Sequence, residues 1–423
     1  MGFKSVSLDD LVDFCVDNRG KTCPITDTEN EYLPLIATNC ITDRLYPVFS
    51  KIRSVDKETY LNWFRSHPQP GDIIFVNKGT PGKVAMVPDK VNFCIAQDMV
   101  ALRIKPKFYN YYIYAVLNDP NVKMQIDNMQ VGTLIPHLKK TDFKNLKLNI
   151  FEDYENQKKI GDFYMNLCKK IEVNYSIINK LEQLSQTLFK HWFINFEFPN
   201  EQGQPYKSSG GEMVESELGE IPKGWPVYKL DEFVESISTS IKKKEQPLAR
   251  FLNTSDILNG EIMHKELDEV ANMPGQAKKL IQKGDILYSE IRPKNKRHAY
   301  ISFDSDEYVV STKLMVLRVN ETVYSGKVLY QWLASDTVIN EFQQLAEDRS
   351  GTFPQITFST IGHYKFAIPP IDIKDKLFNP LELMLDKRLN LINENKKLVE
   401  LRDTLLPKLL SGEIEIPDEL VVD

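Results

Sequence analysis

An ordered set of metal ligands is missing from this sequence. Its five cysteines, Cys15, Cys23, Cys40, Cys94 and Cys168, are odd in number and scattered, with no CxxC pair and no histidine at ligand spacing. Reduced, buried thiols are the expected state. No apolar run approaches the ~20 residues that a membrane helix needs. The N-terminal stretch MGFKSVSLDDLVDF has no apolar signal core, and Val6 stands where myristoylation requires Ser or Thr. A cytoplasmic protein without a membrane partner is expected. An excess of positive charge is absent as well: 53 Lys and Arg face 59 Asp and Glu, a net charge of −6. That balance excludes a basic coat over the whole surface, but it leaves local basic patches open.

Familiar reaction sites are missing too. GTPGKVA (79–85) lacks the upstream glycine of a phosphate-binding loop, because Asn77 holds that place. There is no glycine-rich dinucleotide fingerprint. AIPPI (367–371) has Ile368 where an adenine methyltransferase would carry Asn before its two prolines. Asp285 and Glu290 invite a nuclease reading, since paired carboxylates can hold Mg²⁺, but Arg292 stands where a catalytic lysine would be needed. The chain reads as a binding protein and not as an enzyme.

What is present is a repeat. PGDIIFVNKG (70–79) and KGDILYSEIR (283–292) share Gly-Asp-Ile and two following apolar residues, 213 positions apart. GTLIPHL (132–138) follows the first and GTFPQI (351–356) the second. LIATNCI (35–41) corresponds loosely to FLNTSDI (251–257). KLEQLSQTL (180–188) matches KLVELRDTL (397–405) at an offset of 217. Each half is a mixed, strand-rich region of about 150 residues followed by a long helix, the pattern of a tandem duplication.

The helices are read from their period. Ile160, Leu167, Ile171, Ile178, Leu181 and Leu188 form one apolar seam with Trp192 beyond it. Leu377, Met384, Leu391, Leu398 and Leu405 form the other at seven-residue steps, with Leu381 and Leu409 between and beyond them. Further apolar residues widen both stripes, so another surface is expected to pack there. About 35 residues at ~1.5 Å each make a rod of roughly 50 Å, longer than a small domain is wide. The two helices are therefore expected to pair, and a two-fold-like arrangement of the halves makes them antiparallel. Residues 196–226, rich in Gly, Pro, Ser and Glu, read as a linker or strap.

LFKHWFINFEF (188–198), PYKSSGGEMVESELGEIPKGW (205–225) and LRDTLLPKLLSGEI (401–414), in this order and spacing, resemble the specificity subunit of Type I restriction-modification enzymes, and the resemblance covers almost the whole chain. It implies an α+β fold of two tandem target recognition domains, at 1–150 and 227–370. Two long antiparallel helices, at 151–195 and 371–412, separate them as a coiled-coil spacer, with a linker at 196–226 and a tail at 413–423. It implies a bipartite double-stranded DNA target, two docked modification subunits that bring S-adenosylmethionine, and a restriction subunit that joins the complex. No cofactor is expected in this chain. Two readers entering the major groove on one face of B-DNA would lie about one helical turn, ~34 Å, apart.

Base readout needs donors and acceptors on exposed loops, and phosphate contacts need Lys or Arg. In the first half the expected contacts are Asn77, Lys78, Thr80 and Lys83, with Gln130, Thr133, His137, Lys139 and Lys140 from the closing phrase. In the second they are Ser289, Arg292, Lys294, Lys296, Arg297 and His298, joined by Arg349, Ser350, Thr352 and Gln355, and by Lys242 and Lys243 from IKKKE. The plain alternative for each cluster is a solvated hairpin tip or turn. Two other readings stay open: an interaction scaffold of two ligand-binding domains on a helical stalk, without DNA, and the specificity subunit of a system that only methylates.

Overall fold

The computed structural model describes residues 2–417 apart from 19, 21, 27, 50, 51, 131, 133, 134, 243–245, 264 and 350. The chain divides into two compact units, one formed by 1–175 with 394–423 and the other by 176–393.

In the first unit the strand Ile73–Val76 is buried at all four positions, as expected for an uninterrupted apolar run in a central strand. It lies between Met99–Ile104 and Val84–Met86, and Val12–Val16 completes an antiparallel four-stranded sheet. A second sheet orders Arg53–Val55, Leu33–Ile36 and Cys94–Ile95, the last pair parallel. Phe3–Ser7 pairs with Lys147–Phe151. The second unit repeats this plan. Val234–Ser236, Leu314–Val319, Ile286–Ser289 and His298–Tyr300 form its four-stranded sheet, and Leu248–Leu252 runs parallel to Tyr308–Ser311 in its second. Val227–Lys229 pairs with Lys365–Ala367.

The repeated Gly-Asp-Ile has a structural cause. Asp72 Oδ2 accepts from the Gln69 N–H at 2.8 Å, and its carboxylate takes the Arg103 guanidinium in two bonds of 3.0 Å. Asp285 accepts from the Gln282 N–H at 2.8 Å and from Arg318 in two bonds of 2.9 Å. Both carboxylates are buried, while their arginines reach the surface. Glycine precedes each with φ of +81° and +96°, a left-handed turn that a Cβ would strain. Asp285 is thus a fixed partner of Arg318, which explains the carboxylate without a metal.

The long helices are Tyr154–Phe189 and Ile371–Ser411. Within the first unit Asn174 donates to Asn395 Oδ1 at 2.9 Å and Cys168 faces Arg402; within the second Glu182 meets Arg388 at 3.5 Å and the Phe193 ring lies tilted against Phe378 at 5.7 Å. Partner numbers fall on one helix as they rise on the other, so in each unit the segments run antiparallel. The seams differ from the strict seven-residue frame. Leu167, Leu181, Leu188, Trp192, Met384, Leu398 and Leu405 are only half-buried. The buried line on the first helix passes through Ile160, Tyr164, Cys168, Ile171, Asn174, Ile178, Ser185 and Phe189; on the second it passes through Leu377, Leu381, Leu385, Arg388, Leu391, Ile392, Asn395, Leu406 and Leu409. A 3.6-residue helix drifts ~20° per heptad, so the buried line moves one residue off the leucines and onto polar positions. Residues 196–226 form an ordered strap: a hairpin, Met213–Ser216 with Gly219–Pro222, and an aromatic stack in which Phe198 lies 5.0 Å from Trp225 and 4.6 Å from Tyr206.

Removing one partner of a buried ion pair costs about 3–5 kcal/mol, and less where the arginine is part-exposed. Asp285→Ala is expected to destabilise the second unit by roughly 2–4 kcal/mol, and Asp72→Ala the first by a similar amount. Urea unfolding of the full chain, followed by hydrogen exchange at Ile286–Ser289 and Ile73–Val76, checks both size and place.

Candidate nucleic-acid interface

Each Gly-Asp-Ile strand ends in a loop, and each closing phrase folds back onto that loop in one register. In the first unit the Gly79 N–H donates to Pro136 O at 2.9 Å and the Leu138 N–H to Asn77 O at 2.8 Å, with Lys78 bridged to His137. Gly79, at φ +88°, makes the turn that lets the strand end and the closing phrase meet. The joint borders a cavity of about 560 Å³ whose rim carries Lys78, His137, Lys139 and Lys140, with Asp98 beside them. Lys78 lies 3.8 Å from Asp98 and Lys140 3.9 Å from Asp17. Pairs this long between groups that solvent still reaches are weak, so both ammonium groups are available to an anion.

In the second unit Arg292 N donates to Pro354 O at 3.1 Å and Ile356 N to Glu290 O at 2.9 Å, with Ile291 bridged to Gln355. Pro354 stands where Pro136 does, and Arg292 where Gly79 does. Arg292 adopts φ +46° and Lys296 φ +52°, a conformation that costs a non-glycine residue roughly 1–2 kcal/mol. The loop is held by its own polar groups. Gln343 Oε1 accepts from the Lys294 N–H at 3.1 Å, Lys296 pairs with Asp336 at 2.6 Å, and Arg297 donates to Ser255 O and Ile257 O at 2.9 Å each. Arg292 and Lys294 remain exposed at the tip.

Comparison with known proteins accords with this paired architecture. The family model of the Type I restriction modification DNA specificity domain matches residues 1–183 and 222–401. The chain belongs to that family. The Type I restriction enzyme HindI specificity subunit of Haemophilus influenzae is 41% identical over 163 residues, 38% of this chain and 36% of that protein. The match to it therefore spans about a third of that relative's length. The MjaIX specificity subunit of Methanocaldococcus jannaschii is 24% identical over 317 residues, 73% of this chain and 69% of that one. The crystal structure of the Type I restriction-modification system S subunit from M. genitalium has the same fold at 15% identity, with a TM-score of 0.60 over 99% of this chain and 97% of that one.

The residues expected at the interface of this specificity-domain protein divide. Lys78, His137, Lys139, Lys140, Arg292 and Lys294 sit at the joints, and Thr80 and Thr352 are exposed beside them. Asn77 is buried and its amide donates to Leu138 O at 3.0 Å, so it holds the loop together instead of facing a ligand. Ser289 is buried, with its hydroxyl 3.2 Å from Ile291 O. His298 is buried on the return strand, where Tyr288 stacks on it and the Tyr330 hydroxyl lies 3.2 Å from Nδ1. Burial, with the Arg388 and Lys296 charges, lowers its pKa to about 3. Its counterpart in the first unit, Val84, is apolar, a signal that the sequence carried. Arg297 spends its guanidinium on backbone carbonyls, Lys83 turns to Asp43 at 4.0 Å, and Arg349 is bound to the Thr360 hydroxyl. Gln130 ends the helix Pro120–Met129, half-buried, and Gln355 is half-buried in its bridge. Lys242 is exposed near the strand Ala277–Leu280, where its neighbour Ile241 donates to Lys278 O. Thr133, Lys243 and Ser350 lie outside the described residues. The sequence reading missed Gln343, and it missed the exposed Ile135 and Phe353, which precede Pro136 and Pro354 at corresponding places.

Arg292→Gly removes a left-handed arginine and a cation at once. The variant is expected to melt at the same or a higher temperature than the native chain and, if the joint binds DNA, to lose about one unit of the salt dependence of that binding. Thermal melts and a salt titration check the two halves of that statement. His298 gives an acid dependence. Above pH 6.5 it is neutral folded and unfolded; below that the unfolded chain takes a proton that the folded chain refuses until about pH 3, so stability falls with pH across this window. His298→Gln is expected to flatten the fall by up to about 1.4 kcal/mol per pH unit, read from urea midpoints between pH 7 and 4.

Proposed function

We propose that the chain is the DNA sequence-specificity subunit of a Type I restriction-modification complex and that it recognises a bipartite double-stranded target. Each unit reads one part through the joint between its Gly-Asp-Ile loop and its closing phrase. The observation that carries this reading is the shared register of the two joints, 79 on 136 and 292 on 354, with cations at both and different side chains around them. A common frame with different tips suits two readers with different targets. Lys78, Lys139, Lys140, Arg292 and Lys294 supply phosphate contacts that fix position, while exposed polar and apolar groups such as Thr352, Phe353 and Ile135 face base edges.

Chemistry is assigned to the partners. Modification subunits bind S-adenosylmethionine and methylate adenine, and a restriction subunit joins to cut; a complex that only methylates has the same specificity subunit. The pairing of Asp285 with Arg318 supports a non-catalytic role, since it removes the carboxylate that a nuclease site would need. As part of the same reading, a complex that acts on cellular DNA is proposed to sit in the cytoplasm.

Lys139→Ala with Lys140→Ala tests the reading. With the modification subunit present, binding is expected to weaken about equally for all sequences, and the slope of log K against log salt to fall by about 1.8, as loss of two phosphate contacts requires. Preferred bases should stay the same. Failure of the native complex to shift any duplex in a gel would favour the scaffold reading.

A further inference from the structure

A second segment in each unit touches both the basic loop and a long helix. In the first unit it is 38–46 and in the second 254–262, each following a strand of the parallel pair and opening with a short 3₁₀ turn, Thr38–Cys40 and Thr254–Asp256. On the loop side of the first unit the tie is to the strand that leaves the loop, where Met86 N donates to Leu45 O at 2.8 Å, and the exposed 4.0 Å approach of Lys83 to Asp43 adds little. The corresponding segment of the second unit gives Asn259 N to Lys296 O at 2.7 Å, Gly260 N to His298 O at 2.8 Å, and the two Arg297 bonds already described.

On the helix side the two units use different chemistry. Arg44, on the segment, grips Glu172 of the first long helix with bonds of 2.7 and 2.5 Å; the same carboxylate accepts from Leu45 N at 3.0 Å, and the guanidinium lies 3.7 Å over the Tyr175 ring. In the second unit the arginine is on the helix. Arg388, buried beside Glu182 and Tyr330, donates to Asn259 O at 3.0 Å. A Cβ at Gly260 would come within 2.8 Å of the Tyr330 hydroxyl and 3.4 Å of Arg388, so the segment can lie this close only with glycine there. Two chemically different ties join corresponding segments to the helices, so the link itself is the feature that both units share.

We propose that Glu172 with Arg44, and Arg388, are positioning residues for DNA recognition: each fixes its own unit's basic loop to the helices through the segment between them, and so sets the selectivity of one half of the target. None of them touches DNA. The inference rests on the two-part reading above. Loops that carry recognition depend on a rigid support, and a small misplacement at the tip is enough to admit wrong bases.

The test uses the full chain expressed with its modification subunit, with methylated sites identified by sequencing. If the native complex does not methylate a two-part site, the functional reading falls and the positioning role with it. If it does, Glu172→Ala should raise methylation at sites mismatched in one half by roughly two- to thirtyfold and leave the other half unchanged, and Arg388→Met should do the reverse. Glu172→Gln and Arg388→Lys, which keep an acceptor or a donor in place, should each recover part of the selectivity. Unchanged site preferences, or equal loss in both halves, would overturn the proposal. Hydrogen exchange guards against simple unfolding. Amides of the basic loop, 77–83 or 292–297, should exchange faster in the matching variant while those of the adjoining strand, Ile73–Val76 or Ile286–Ser289, hold their native rates; equal acceleration of both would also overturn it.

Discussion

The pairing of a buried aspartate with a strand arginine, made once in each unit, is the constraint from which the rest of each unit is built. A carboxylate out of water is tolerable only with its charge and lone pairs met, and the Gln69 and Gln282 amides with Arg103 and Arg318 meet them. The pair ties the start of the central strand to its neighbour and thereby fixes their register. With the register fixed, the strand ends at a set place, and that place is where each basic loop begins. The geometry of the tip therefore depends on charges buried at the opposite end of a four-residue strand.

Duplication followed by divergence explains why the two joints agree in backbone and differ in side chains. Gly79 and Arg292 occupy one position and donate to equivalent carbonyls, yet one is free of strain and the other is not. The second loop accepts two left-handed cationic residues and compensates with Gln343, Asp336 and the carbonyls of 255 and 257. Strain at such a loop persists only where its surroundings over-determine it, and this loop has four such supports.

The sequence disclosed the repeat, the long helices and the two phrases that meet, because each is written as a local pattern with a fixed offset. It did not disclose contacts that join distant, individually ordinary residues. Arg103 and Arg318 lie 31 and 33 positions beyond their aspartates and have no motif of their own. His298 reads as part of a basic run because Lys294, Lys296 and Arg297 precede it, but the chain has already re-entered a strand that is buried at all three of its positions. On the helices, leucines at sevens defined a frame, while Asn174, Ser185, Arg388 and Asn395 took buried places that hydrophobicity could not assign. A polar residue goes inside when a specific partner waits for it, and the partner is visible only in three dimensions.

The first unit is discontinuous in the chain: Leu406, Leu409 and Leu410 belong to the same core as Leu8, Phe75 and Tyr164. A ribosome adding about 5–20 residues each second needs roughly ten to fifty seconds to travel from residue 175 to residue 410. Throughout that interval the first unit has an open core, although most of its chain has been made, whereas the last residue of the second unit, 393, is added before the helix turns that close the first. Order of completion is thus the reverse of order of synthesis, and the N-terminal half must either wait unfinished or be shielded until the last helix turns arrive.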